Sequence, residues 1–176
     1  MRLDDLGTRI CILGPSNSGK STLAATIARA RNLNTVHLDQ LYHRPNTDWE
    51  MRPKEEFIAL HDEAITGEFW VMDGNYSICM PQRFARATGL ILLDVSTSTS
   101  LLRYFHRTVF GRRNRVGALP GGRDGLKWGM LYHIAVTTRA NRKRYAALLQ
   151  QIGLPRIRLS SAREIEHFYR AEGLNR

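Results

Sequence analysis

A glycine-rich segment near the N-terminus has the residue types and spacing of a phosphate-binding loop. Residues 14–21 read Gly-Pro-Ser-Asn-Ser-Gly-Lys-Ser, which fits the pattern Gly-x-x-x-x-Gly-Lys-Ser. The two glycines allow the backbone to wrap tightly and to point N–H groups at phosphates. We expect Lys20 along the outer phosphates and Ser21 as a magnesium ligand. The residues expected to bind ATP with Mg²⁺ are Gly14, Pro15, Ser16, Asn17, Ser18, Gly19, Lys20, Ser21 and Thr22.

Three aspartates each follow a short run that is predicted to be a strand, namely Asp39, Asp73 and Asp94. A site that binds a magnesium nucleotide needs a carboxylate near the metal, usually through a water molecule. We expect Asp73 to be this carboxylate. Asp94 is the alternative, because both aspartates follow apolar runs of similar character. Asp39 could accept a proton from a substrate hydroxyl or hold magnesium through water. The alternative for Asp73 and Asp94 is a helix or turn cap, and the alternative for Asp39 is a loop acid without a chemical role.

A basic segment follows the last of these aspartates by about ten residues. Arg107, Arg112 and Arg113 belong to it, with Arg103 before them and Arg123 after them. Arginines on a closing flap can stabilise the negative charge that develops during phosphoryl transfer. The alternative is a solvated basic face. The predicted catalytic set is therefore Lys20, Asp39, Asp73, Arg107, Arg112 and Arg113.

The net charge of +10 is concentrated in the second part of the chain. Residues 103–176 hold sixteen Lys and Arg against four Asp and Glu, whereas residues 1–102 hold ten against twelve. This basic part of the chain is expected to bind an anion. Both a polyphosphate and a nucleic acid carry the required negative charge. Arg139, Arg142 and Lys143 could extend the basic surface along one helix face.

Composition makes several other classes of protein improbable. Cys11 and Cys79 are too few for a disulfide framework or a zinc site, and Cys11 is predicted to be a core residue. The six histidines show no metal-ligand spacing and are treated as structural or surface residues. Neither a transmembrane run nor a signal peptide is visible, so a cytoplasmic protein without membrane partners is expected.

The surrounding pattern alternates short apolar runs with helical segments, which predicts an α/β fold with a parallel sheet between two helical layers. The 176 residues are expected to form one domain with a lid at about 107–125. Residues 111–125 contain five glycines and are interpreted as a loop or flap rather than a packed element. The predicted strands span 9–13, 35–38, 69–72, 90–93 and 156–159. The predicted helices span about 20–31, 53–66, 126–151 and 162–171, with another that begins after Asp94 and is capped by Ser96 or Thr97.

Four segments occur together in an order that resembles one known family. They are the phosphate loop, Leu38-Asp39-Gln40-Leu41-Tyr42, the segment from Phe69 through Asp73-Gly74-Asn75-Tyr76, and Leu92-Leu93-Asp94. The combination resembles adenylate-kinase-like P-loop proteins of the DNA topology modulation (FlaR-like) subgroup, over residues 9 to about 170. The resemblance implies a five-stranded sheet in the order 2-3-1-4-5 and a mobile lid. It also favours Asp73 over Asp94, because an Asp-Gly pair ends the third strand in nucleoside monophosphate kinases.

The chain departs from adenylate kinases at the residues that follow Asp73-Gly74. Adenylate kinases carry Pro-Arg soon after that pair, whereas this chain has Asn75-Tyr76. The arginine that would grip an acceptor phosphate is missing there, so AMP is not implied as the acceptor. An acceptor hydroxyl near Asp39 is more similar to the arrangement in shikimate or gluconate kinases.

Three functions remain open from the sequence. The first is an ATP-dependent kinase that acts on an unidentified small-molecule or nucleotide acceptor. The second is a nucleotide-binding regulator that contacts nucleic acid, although no DNA-reading motif is visible. The third is hydrolysis of the triphosphate without an acceptor.

Overall fold

A computed structural model describes residues 1–110, 116–121 and 152–175, with the backbone alone for 107–110. The predicted helix at 126–151, together with Arg112, Arg113 and the Arg139 to Lys143 group, lies outside this range. The five strands are β1 (Arg9–Leu13), β2 (Asn34–His37), β3 (Trp70–Asp73), β4 (Gly89–Leu93) and β5 (Arg156–Leu159). The helices are α1 (Lys20–Arg31), α2 (Leu38–Tyr42), α3 (Lys54–Ala64), α4 (Met80–Arg86), α5 (Thr97–Phe110) and α6 (Ala162–Ala171).

The strands form one parallel sheet in the order β2-β3-β1-β4-β5, which confirms the predicted topology. Alternate residues of each strand point to opposite faces, so each face of the sheet has its own core. Ile10 and Ile12 of β1 face a core with α1 and α6, whereas Cys11 and Leu13 face a core with α3 and α4. The result is the predicted sandwich of helices, sheet and helices.

Cys11 is fully buried in the second core, as the sequence predicts. Burial raises the pKa of its thiol to about 12, so it remains protonated and behaves as a small apolar residue. Trp70 is also buried there.

Several predicted boundaries are wrong by one or two residues. Strand β3 begins at Trp70 and extends through Asp73, because the Trp70 N–H pairs with the Thr8 carbonyl while Phe69 is 57% exposed. Strand β2 covers 34–37 instead of 35–38, since α2 begins at Leu38. Helix α3 begins at Lys54 after Pro53 and ends at Ala64. Ser96 caps α5 as expected, since its Oγ accepts the Thr99 N–H at 3.1 Å.

Two short helices and one helix extension were not predicted. Helices α2 and α4 have five and seven residues, which is too short to show helical periodicity. Helix α5 continues through Phe110, so the predicted lid boundary at about residue 107 falls within a helix. Within the described ranges, no helix has the length and apolar character required to cross a membrane.

Candidate active site

The phosphate loop connects β1 to α1 and is fixed to the neighbouring strand by Asn75. The Gly14 N–H donates to Asn75 Oδ1 at 3.1 Å, and Asn75 Nδ2 donates to the Gly14 carbonyl at 2.7 Å. Gly14 and Gly19 have φ angles of 148° and 99°, in the left-handed range that favours glycine. A side chain at Gly14 would collide with the Leu93 carbonyl. The loop is therefore a tight turn that the Asn75 side chain holds in place. In the sequence, Asn75 stood out only as part of the departure from adenylate kinases.

Lys20 and Ser18 of the loop differ in their hydrogen bonding. Lys20 Nζ donates to the Pro15 carbonyl at 2.8 Å, which folds the side chain back along the loop. Desolvation lowers the pKa of the Lys20 ammonium, while the charges of Asp73 and Asp39 oppose this shift. The Ser18 hydroxyl is buried and has no hydrogen-bond partner among the described residues. An unpaired buried hydroxyl in such a loop is suited to a ligand oxygen.

The Asp73 carboxylate contacts the loop and a histidine through different oxygens. Ser21 Oγ donates to Asp73 Oδ2 at 2.7 Å, and His37 Nδ1 lies 2.5 Å from Asp73 Oδ1. An ionised carboxylate only accepts hydrogen bonds, so Nδ1 of His37 carries the proton in this contact. Register explains the histidine contact, because His37 is the Cα partner of Asp73 in the β2–β3 ladder. The general assignment of histidines to structural or surface roles therefore overlooked His37, which orients Asp73.

The Ser21–Asp73 pair suits a magnesium ion that also binds a nucleotide. Magnesium prefers oxygen ligands, usually one or two from protein, with the rest from phosphates and water. Within the described part of the chain, no cluster of three His, Cys, Asp or Glu residues could hold a metal by itself. The donor set is therefore incomplete without nucleotide oxygens. Asp94, the rival carboxylate, instead accepts a hydrogen bond from Arg158 Nη2 at 2.5 Å.

Asp39 lies in the first turn of α2, on the same edge of the sheet as Lys20 and Asp73. Its side chain is exposed, and its Oδ1 accepts a hydrogen bond from the Tyr76 hydroxyl at 2.7 Å. Burial, reinforced by Asp39, raises the pKa of the Tyr76 phenol, so the hydroxyl keeps its proton and donates. The structure thus brings together Lys20, Asp39 and Asp73, which are far apart in the sequence.

Only part of the predicted arginine set is described. Arg107 lies on α5, but its side chain is outside the described range, as are Arg112 and Arg113 entirely. Arg103 contacts the loop, since its Nη1 donates to the Ser18 carbonyl at 2.6 Å. Arg103 is therefore the described arginine at the phosphate loop, one helical turn before Arg107.

Residues 116–121 of the glycine-rich stretch pack against the site, so the prediction that this stretch is not a packed element is wrong for this segment. We call residues 116–121 the strap. Leu119 is only 4% exposed, and the carbonyls of Ala118 and Pro120 accept hydrogen bonds from Gln40 Nε2 and the Asn46 N–H at 2.8 and 2.7 Å. The buried leucine and these two bonds hold a segment that its glycine content alone would leave loose.

Comparison with solved structures identifies the fold. A gluconokinase from Sinorhizobium meliloti 1021 matches with a TM-score of 0.55 and 16% identity, over 98% of this chain and 96% of that chain. A shikimate kinase from Acinetobacter baumannii, solved in complex with shikimate, matches with a TM-score of 0.59 and 14% identity, over 95% and 92%. No protein-family model matches the chain, and no curated protein does. The chain therefore has the fold of small P-loop kinases.

Proposed function

We propose that this protein is a small ATP-dependent kinase that transfers the terminal phosphoryl group to a hydroxyl of a small acceptor. The proposal rests chiefly on one arrangement, in which Ser21 of the phosphate loop donates to Asp73 at 2.7 Å and Asp39 lies at the same edge of the sheet. A phosphate loop and a second carboxylate at one edge of the sheet can serve the donor and the acceptor of one transfer. The likeness to a gluconokinase and a shikimate kinase supports this reading at the level of the fold.

On the donor side, residues 14–22 hold the triphosphate. The loop N–H groups and the N-terminus of α1 bind phosphate oxygens, and Lys20 moves from the Pro15 carbonyl to the outer phosphates. Ser21 and Asp73 would hold Mg²⁺, which would supply positive charge to offset that of the phosphates. We prefer Asp73 to Asp94 for this role, because Asp73 contacts Ser21 whereas Asp94 is paired with Arg158.

On the acceptor side, Asp39 receives the proton of the acceptor hydroxyl. The hydroxyl oxygen forms a bond to the γ-phosphorus while the bond to the β–γ bridging oxygen breaks, and ADP leaves. The Tyr76 hydroxyl fixes one oxygen of Asp39, which leaves the other directed to the acceptor. Arg103 at the loop, with Arg107, Arg112 and Arg113 as further candidates, stabilises the charge on the transferred group.

Two other readings follow from weaker observations. The DNA topology modulation resemblance rests on the Leu38 to Tyr42 and Asp73 to Tyr76 segments, and it names no acceptor. Nucleic-acid binding rests on the charge of residues 103–176. Hydrolysis without an acceptor would use the donor half of the site alone.

The test is magnesium-dependent release of ADP from ATP, measured with a panel of nucleosides, nucleotides and hydroxy compounds. Lys20→Ala should lower the rate at least about a hundredfold, since it removes a charge that acts on the transferred group. The control is Lys54→Ala, which removes an exposed lysine at the start of α3. Unchanged turnover in Lys20→Ala would overturn the proposal, and turnover that no acceptor stimulates would favour hydrolysis.

A further inference from the structure

A hairpin that follows Asp39 begins with residues that contact the Asp39 backbone carbonyl. Residues 42–52, here called the acceptor hairpin, are closed by the Arg52 N–H to the Tyr42 carbonyl and by the Arg44 N–H to the Glu50 carbonyl, both at 2.8 Å. Both the N–H and the Nδ1 of His43 contact the Asp39 carbonyl, at 3.1 and 2.9 Å. The hairpin is therefore fixed in position relative to Asp39.

A row of four aromatic rings leads from this hairpin to the Asp39 carboxylate. Its order is Trp49, His43, Tyr42 and Tyr76, with centroid separations of 5.1, 4.9 and 4.7 Å. The Tyr76 hydroxyl then bonds Asp39. All four side chains are only partly buried, while Phe57 supports Tyr42 and Tyr76 from the core. A partly exposed aromatic row that ends at a carboxylate provides a surface for a flat ring together with a partner for a hydroxyl.

The outermost ring of the row is held by an unfavourable backbone conformation. Trp49 has a φ of 64°, which costs a bulky non-glycine residue about 1–2 kcal/mol. Strain of this kind is concentrated at binding sites, where surrounding contacts enforce it. Here the hairpin bonds enforce it, and the indole is placed edge-on against His43.

The charges of the acceptor hairpin are already balanced. Arg44 lies 3.5 Å from Glu50 and 3.3 Å from Glu56, and Arg52 lies 2.7 Å from Glu56. Among the described residues, the hairpin therefore offers no uncompensated guanidinium to a phosphate or carboxylate. An anionic group bound along the row would also face the negative charge of Asp39.

We propose that the acceptor is a nucleoside: an uncharged compound that combines an aromatic base with a sugar hydroxyl. The base stacks at the Trp49 and His43 end of the row, and a sugar hydroxyl reaches Asp39. Base–aromatic stacking contributes about 1–3 kcal/mol per base, which is enough to select this class. A nucleoside monophosphate or a hydroxy acid would place its anion where the hairpin has no free cation. This inference rests on the proposed kinase function.

The first test is calorimetric titration of the full chain without ATP. Adenosine, guanosine, cytidine and thymidine are compared with their monophosphates, gluconate and shikimate. At least one nucleoside should bind at least about tenfold more tightly than its monophosphate. Trp49→Ala should weaken that binding by about 5- to 150-fold, and Trp49→Phe should restore most of it. Phe69→Ala is the control, since it removes a 57% exposed aromatic ring at the end of β3 opposite Asp73, outside the row.

Tighter binding of a monophosphate or of either hydroxy acid would overturn the inference. So would nucleoside binding that Trp49→Ala leaves unchanged in a protein whose circular dichroism matches the wild type. If Trp49→Ala does not fold, the comparison of Trp49→Phe with wild type decides, since a phenyl ring retains stacking but reduces its area. Lys20-dependent phosphoryl transfer from ATP to gluconate would refute the nucleoside as the acceptor, but it would leave the kinase proposal standing. Tight, Trp49-dependent nucleoside binding without any transfer from ATP would refute the kinase proposal instead.

Discussion

The Ser21 hydroxyl donates a hydrogen bond to the Asp73 carboxylate at 2.7 Å, although 52 residues separate the two. Ser21 lies in the first turn of α1, and Asp73 is the last residue of β3. The two meet because β3 lies beside β1, whose loop leads directly into α1. A hydroxyl and a carboxylate in contact at this edge form a pair of oxygen ligands that could be shared by one cation.

Replacement of Asp73 should show which of the two candidate aspartates, Asp73 or Asp94, is the carboxylate near the metal. Asp73→Asn removes the negative charge next to Ser21, so magnesium-dependent turnover of ATP should fall about a hundredfold or more. Asp94→Asn is the matched control, because Asp94 instead pairs with Arg158, whose side chain is 65% exposed. That variant should retain turnover within about threefold and lose at most about 1 kcal/mol of stability. The reverse order of effects would assign the metal to Asp94.

His37 should influence the metal requirement without touching the nucleotide. Its Nδ1 contact fixes one oxygen of Asp73, and outer residues of this kind typically change metal affinity by about 10- to 100-fold. His37→Ala should raise the magnesium concentration that gives half-maximal ADP release by that factor. Turnover at saturating magnesium should change much less. A loss of turnover that added magnesium cannot restore would mean that His37 acts by another route.

The sequence predicts the elements on either side of the phosphate loop better than the contacts that other segments make with them, for physical reasons. Strand β1, the loop and α1 are contiguous, so local pattern alone specifies them. The His37–Asp73 contact depends on which residues face each other across β2 and β3, and a one-residue error in both strand ends hides that register. Packing of the strap depends on the burial of Leu119, which a run of glycines does not reveal. Asn75 was noted in the sequence, but its hydrogen bonds to Gly14 could not be predicted without knowledge of the fold.

Arg83 is a buried cation whose removal should stabilise the protein. It is fully buried on α4, and none of its three guanidinium nitrogens has a hydrogen-bond partner among the described residues. Its contact with the Phe84 ring, at 5.7 Å, offsets only part of the desolvation cost. Arg83→Met should raise the free energy of unfolding in urea by about 1–4 kcal/mol. Arg86→Met, at a surface position bonded to Glu68, should not stabilise. Destabilisation by Arg83→Met would indicate a partner for the guanidinium.

His61 should make the protein less stable in mild acid. Its imidazole is buried, and this burial lowers its pKa below the ordinary 6.5, against the opposing contact with Asp62. Below pH 6.5 the unfolded chain therefore binds a proton that the folded protein binds only at lower pH, so stability falls as the pH decreases through that window. His61→Leu should flatten this fall between pH 7 and pH 5 in urea unfolding. An identical slope in the variant would assign the acid sensitivity to other groups.

Gly117 is the position in the strap at which an added side chain would press on Ser21 and His37. It has a φ of 72°, and an added Cβ would lie 2.8 Å from Ser21 Cβ and 3.2 Å from His37 Nδ1. Alanine there is strained and also displaces either the strap or the two side chains that contact Asp73. A shift of about 1 Å in such groups can cost about a hundredfold in rate. We expect Gly117→Ala to lower kcat/KM for ATP at least about tenfold. Gly153→Ala is the control, because no atom of the described residues lies within 4 Å of an added Cβ at that position. Wild-type kinetics in Gly117→Ala would show that the strap can leave Ser21 and His37 without effect on the site.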